Sequence, residues 1–159
     1  MKITLITVGK IKEKFYRDAI AEYEKRLSRY CKLEIIQVAD EKTPDKAGDA
    51  LEEAIRHKEA ERIRKYIRED TCVISLEIQG QMYNSEQFAQ EIERIASKGC
   101  SHIQFIIGGS LGLHREICKK ADFAVSFSKM TFPHQLMRVI LLEQIYRAYR
   151  IINGAPYHK

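Results

Sequence analysis

Residues 103–107 (Ile-Gln-Phe-Ile-Ile) and 123–127 (Phe-Ala-Val-Ser-Phe) are short apolar runs, each ending in an irregular loop. The first stops on Gly108 and Gly109, with a third glycine at Gly112. The second stops on Ser128-Lys129-Met130-Thr131-Phe132-Pro133-His134. A helix-patterned segment, residues 114–121, lies between them. Apolar runs of this length bounded by turn residues read as buried strands. Strands joined through helices pair in parallel, because a parallel partner is reached only by a crossover. In an open parallel sheet, ligands sit outside the carboxyl ends of the strands. The loops 108–112 and 128–134 are therefore predicted to border a binding site.

The rest of the chain repeats this alternation. Residues 2–8 read as a strand closed by Gly9, and residues 33–38 as a second. Between them, residues 13–30 place Phe15, Tyr16, Ala19, Ile20, Tyr23 and Leu27 on one helical face. Residues 40–49 are polar, with Pro44 and Gly48, and read as a loop. A charged helix is predicted over 49–69, with Leu51, Ala54, Ile55, Ile63 and Ile67 as a thin apolar stripe. Its interleaved arginines, lysines and glutamates read as an ion-paired, solvated face rather than an RNA-contacting one. A third strand is predicted over 72–78, then a helix over 86–97 with Ser85 as its N-cap. The last helix is predicted over 134–152, stopped by Asn153-Gly154. It is apolar around most of its circumference, which predicts burial on more than one side and a subunit interface. The order βαβαβαβαβα predicts an α/β fold: a single domain over 1–159 with a mostly parallel sheet and helices on both faces.

Composition narrows the chemistry. The net charge of +5, with a pI near 9.0, favours polyanionic partners. No apolar run is long enough to cross a membrane, and the first residues read as the first strand of a cytoplasmic protein rather than a leader. Cys31, Cys72, Cys100 and Cys118 form no C-x-x-C pair, so they read as reduced, mostly buried thiols, with no metal site. The first strand is followed by one glycine only, which disfavours a dinucleotide fingerprint. There is no phosphate-binding P-loop, no H-E-x-x-H and no G-x-S-x-G. What remains is the pair of loops. Met130 and Phe132 are apolar where a solvated loop should be polar, so they should cover a flat ligand, a second subunit or the core. His134, Tyr157 and His158 are the polar groups placed to lie near them, with Arg138, Arg147 and Arg150 as anion contacts or interface pairs.

Several stretches taken together carry a resemblance. They are Ile106-Ile107-Gly108-Gly109-x-x-Gly112, the run from Phe127 to His134, Arg138, Leu142-Glu143-Gln144-x-Tyr146-Arg147-Ala148 and Pro156-Tyr157-His158. The chain resembles the SPOUT (α/β-knot) methyltransferases, and within them the family that methylates N3 of a pseudouridine in large-subunit ribosomal RNA. The likeness covers essentially the whole chain, including Val8-Gly9-Lys10. Ser110 departs from it, standing where the family often has proline. The resemblance implies a trefoil knot in the C-terminal part, a homodimer, and 23S rRNA in the ribosome as partner, without metal or membrane. It implies S-adenosyl-L-methionine as cofactor, held by Leu76, Gly108, Phe127, Ser128, Lys129, Met130, Thr131 and Phe132. It points to His134, Arg138, Tyr157 and His158 for the proton and charge chemistry. A non-catalytic ribosome-associated factor on the same fold is the alternative.

Overall fold

β1 (Lys2–Val8) and β4 (His102–Ile107) are central because almost every residue in them is apolar or can be satisfied while buried. The computed structural model describes residues 1–159, with the further elements α1 (Lys14–Leu27), β2 (Lys32–Val38), α2 (Asp49–Arg64), β3 (Cys72–Met82), α3 (Ser85–Ser97), α4 (Arg115–Lys120), β5 (Phe123–Ser126) and α5 (His134–Ile152). The strands form one sheet in the order β2-β1-β4-β3-β5, and every pairing is parallel. Alternation along the strands splits the core in two. Ile3, Leu5, Ile103, Phe105 and Ile107 pack in a larger core that includes buried residues of α1, α3 and α5. Ile6, Val8 and Ile106 face a smaller one with Ala60, Ile63 and Ile117 of α2 and α4. Helices thus cover both faces, as the alternation predicts.

Four local expectations are corrected. β3 runs past Gly80 to Met82, because Leu76 and then Gln81 both pair with Val125 while residues 77–80 detour between them. A Cβ on Gly80 would lie 2.8 Å from the backbone of Ala124 and Val125, so the strand can return to β5 only without a side chain there. The N-cap of α3 is Asn84, not Ser85. Its side chain accepts the Gln87 N–H at 2.8 Å, and the Gln87 side chain accepts the Asn84 N–H at 3.0 Å. Ser85 instead donates to the Gln144 side chain on α5 at 2.9 Å. Asn84→Ala is therefore expected to cost about 1 kcal/mol, read as a lower thermal midpoint, whereas Ser85→Ala removes only one partly solvated bond. α2 ends at Arg64 rather than near 69. The buried Gln104 amide of β4 donates to the Tyr66 carbonyl and accepts the Arg68 N–H, both at 2.8 Å, and so holds the chain in a turn. Phe15 leaves the buried face of α1 and is 64% exposed.

The arginines of α2 and its C-terminal turn are ion-paired. Arg56 meets Glu53, Arg62 meets Glu41, Arg64 meets Glu116 and Arg68 meets Asp70. The four cysteines are free thiols; burial pushes Cys31 and Cys72 up to about 11 and Cys118 to about 12, so these three stay protonated. No helix is long and apolar enough to cross a membrane.

Candidate active site

β4 delivers the chain directly into the glycine turn. Gly109 accepts the Gly112 N–H at 3.0 Å, and Gly112 has φ +79°, a conformation that favours glycine. Gly108 folds against this turn so closely that a Cβ there would lie 2.6 Å from the Gly112 carbonyl carbon and 2.9 Å from the Leu113 nitrogen. The turn is braced from α2. Arg56 reaches the Leu111 carbonyl at 3.5 Å, and a Cβ on Gly109 would stand 3.3 Å from the carboxylate of buried Glu59. Burial raises the Glu59 pKa, although the Glu41 N–H donates to its carboxylate at 3.0 Å.

β5 delivers the second loop. The Ser126 hydroxyl donates to the Ser128 carbonyl at 3.0 Å, and the Ser128 hydroxyl accepts the Met130 N–H at 3.0 Å. These side chains replace the ladder bonds that the strand loses at its end. Between the two loops and the point where β3 begins its detour, at Leu76–Ile78, lies a cavity of about 660 Å³, within the usual range for small-molecule sites. Its apolar lining includes Leu76, Ile107, Phe127, Phe132 and Met137, and polar residues of the lining include Glu77, Ser126, Ser128, Thr131 and His134.

Of the residues singled out in the sequence, Leu76, Gly108, Phe127, Ser128, Met130, Thr131, Phe132 and His134 line this one cavity. Lys129 belongs to the same loop but is exposed and forms no part of the lining. Met130 is 73% exposed at the cavity, which rules out the core as what it covers. His134 opens α5 and is half-buried; burial, and then the charge of Arg138, lower its pKa, so its imidazole is neutral at neutral pH. Its Nδ1 is enclosed without a hydrogen-bond partner.

Arg138 is not brought to the cavity. It is 1% exposed and donates from Nη2 to the carbonyls of Val8 at 2.6 Å and Gly9 at 2.9 Å. Burial brings its pKa down to about 10. The guanidinium thus ties the first turn of α5 to the end of β1. Tyr157 and His158 lie elsewhere too. His158 lines a second cleft of about 470 Å³ with Asn84, Ser85 and Gln144; this cleft shares Val125, Ser126 and Phe127 with the first. The Tyr157 hydroxyl donates to Glu143 at 3.0 Å, and Arg147 bonds Glu143 at 2.7 Å while its guanidinium lies 4.6 Å from the Tyr157 ring centroid. Burial, reinforced by the Glu143 acceptor, raises the Tyr157 pKa.

Sequence reasoning missed Glu77 and Glu59. Glu77 lines the cavity and accepts from the buried Ser75 hydroxyl at 2.5 Å. Two polar residues at alternate positions of a buried strand were a readable signal. Glu59 gave none, being one carboxylate among many on a charged helix.

Comparisons with known proteins agree with one another. Residues 1–158 match the family model described as "Predicted SPOUT methyltransferase". The chain is 67% identical over 159 residues to the "Ribosomal RNA large subunit methyltransferase H" of Bifidobacterium adolescentis, and 55% identical to the protein of the same description from Clostridium kluyveri; both alignments cover the whole of both chains. The solved structure of "a probable methylase family protein from Haemophilus influenzae Rd KW20" superposes with a TM-score of 0.56 at 15% identity, covering 99% of this chain and 70% of that one. That last likeness speaks for the fold alone.

Proposed function

The chain belongs to the SPOUT methyltransferase family, and from that premise we propose that it transfers a methyl group from S-adenosyl-L-methionine to N3 of a pseudouridine in 23S ribosomal RNA, acting as a cytoplasmic homodimer on the assembled ribosome. The observation that carries the reading is the one cavity shared by the β3 detour at Leu76–Ile78 and the loops that leave β4 and β5. The residues present fit the cofactor. Leu76, Ile107 and Phe127 offer apolar surface to a flat base, and Gly108, also in the lining, lets the glycine turn fold tightly against the end of β4, where a side chain would collide with the Gly112 and Leu113 backbone. The backbone of residues 127–132 would meet the polar edge of adenine and the ribose. When bound, the cofactor supplies a methyl on a positively charged sulfur, already electrophilic without a metal.

The protein's remaining task is at the acceptor. An imide N3 attacks only as its proton leaves, so the site needs a proton acceptor that is neutral at physiological pH. His134 meets both conditions, being at the cavity and having a lowered pKa. Arg138, one helical turn on, holds the start of α5 in place. Tyr157 and His158 would act from the tail, on the RNA side. The half-exposed apolar residues of α5, such as Leu136 and Ile140, support a contact between two copies. A knotted threading belongs to the same reading.

The test is transfer of isotopically labelled methyl from S-adenosyl-L-methionine to assembled ribosomes and to free ribosomal RNA, with the product nucleotide mapped by mass spectrometry. Label on N3 of one pseudouridine, and on particles rather than free RNA, is the expected result. No transfer and no cofactor binding would leave the non-catalytic factor as the better account.

A further inference from the structure

We propose that the turn from β1 into α1, residues 10–17, is an RNA-gripping element in which the Phe15 ring stacks on an unpaired base while Lys10 and Lys12 meet the flanking phosphates. The identity of the polymer rests on the function proposed above; the shape and charge of the element do not. Phe15 is a large aromatic side chain, 64% exposed, on a helix whose other apolar residues are mostly turned inward. The half-buried Tyr16 backs it, with ring centroids 4.3 Å apart and planes tilted by 51°.

The turn that presents Phe15 is fixed rather than loose. Ile11 is only 8% exposed and plugs it into the larger core. Arg17 donates back to the Ile11 carbonyl at 3.3 Å and the Lys12 carbonyl at 2.8 Å. An aromatic platform held this way loses little conformational freedom when a base stacks on it. The charge around it is positive. Lys10, Lys12, Lys14 and Arg17 stand against Glu13 and Asp18. Lys14 is committed to Asp18 at 2.7 Å, whereas Lys10 and Lys12 are exposed and in no ion pair. The arginines of α2, by contrast, already have carboxylate partners.

Position connects the turn to the cavity. β1 pairs with β4, so both strands exit at the same edge of the sheet. Val8 lies 3.2 Å from where a Cβ on Gly109 would be. Gly9, at φ +84°, then turns the chain away, with its carbonyl held by Arg138. A strand of RNA with one base at the cavity could therefore lay a neighbouring nucleotide across Phe15. Single-stranded nucleic acid is gripped by this combination of aromatic face and cationic groove, and an isolated ring among lysines suits it better than an apolar protein surface.

The test uses the full-length protein and purified large ribosomal particles, with binding read by co-sedimentation, cofactor affinity by calorimetry and assembly state by sedimentation velocity. Phe15→Ala should weaken particle binding about tenfold, the size of one lost base stack, with cofactor affinity and sedimentation coefficient unchanged. Phe15→Trp should keep binding, and its fluorescence should be quenched on adding particles. Lys10→Ala with Lys12→Ala should flatten the dependence of log affinity on log salt by about one to two. Undiminished binding by Phe15→Ala overturns the proposal. So does a change in its sedimentation coefficient, which would mean the ring packs on a second copy, or a wild-type protein that ignores the particles. Particle binding that depends on Phe15 but comes without methyl transfer would sink the enzymatic reading and leave this one standing.

Discussion

Valine at position 108 is expected to abolish S-adenosyl-L-methionine binding, lowering the affinity by about a hundredfold or more, which corresponds to roughly 2.7 kcal/mol. The reason is steric, and it involves backbone alone. The first carbon of any side chain at Gly108 would fall 2.6 Å from the Gly112 carbonyl carbon, 2.8 Å from its oxygen and 2.9 Å from the Leu113 nitrogen. No rotamer change relieves a clash with main chain. The turn also cannot drift freely, because the Gly112 N–H is bonded to the Gly109 carbonyl and Arg56 reaches Leu111. Overpacking of this kind costs about 1–3 kcal/mol in itself, and the displaced loop forms one side of the cavity. Gly48→Ala is the control, since a Cβ there meets nothing within 4 Å and the backbone φ is −78°. Calorimetry with the cofactor should separate the two variants, while far-ultraviolet circular dichroism should show both folded. Cofactor binding by Gly108→Val at near wild-type affinity would mean that this turn is structural only.

The parts of this architecture that were legible in the sequence depend on local pattern. The run at 103–107 is a buried strand and the run at 123–127 forms a half-buried one that stops at Ser126, because nothing polar enough to need water interrupts them except Gln104 and Ser126, and both find partners. Gln104 also shows where reading fails. It looks like a blemish in a strand, yet it closes α2 from across the sheet, so the end of α2 is set by a residue far away in sequence. The same limit applies to β3. Nothing in Glu77-Ile78-Gln79-Gly80 reveals that the chain will detour and pair with Val125 a second time, because that depends on Gly80 meeting a bare stretch of β5 backbone. Asn84 and Ser85 are both good caps, and only the reciprocal bond with Gln87 decides between them. At the candidate site, the two glycine- and serine-bearing loops could be found from their composition. Arg138 could not be understood that way. A cation near a proposed site reads as a contact for an anion, and its burial against two carbonyls of β1 exists only once the helix is packed.

That placement shifts attention to His134, and His134→Ala is expected to lower methyl transfer to RNA by about 10²–10⁴-fold, the usual contribution of a positioned base. Cofactor affinity should change far less, since the imidazole is one polar group at the edge of a largely apolar cavity. The pH dependence follows from the direction of the shift. Burial and the neighbouring Arg138 charge hold the folded pKa of His134 below 6.5. The wild-type rate should therefore be flat through neutrality and fall only in acid, below the pH at which a solvated histidine would protonate. Stability moves the same way. Below about pH 6.5 the unfolded chain takes up a proton at His134 that the folded chain resists, so the unfolded state binds more protons and stability rises with pH across that window. The stabilisation is present above the unfolded pKa and is lost as pH falls through the folded one. His134→Gln should remove that increment of acid sensitivity from the thermal midpoint. Arg138 follows the same rule in a different range: burial brings its pKa down to about 10, well below that of a solvated guanidinium, so its contribution makes stability rise with pH only in strong alkali, and the two groups are separable in one titration. If His134→Gln kept the wild-type rate and its acid limb while His158→Gln lost both, the proton acceptor would be in the C-terminal tail, and the cleft beside Asn84 and Gln144, rather than the larger cavity, would be where the base of the RNA is held.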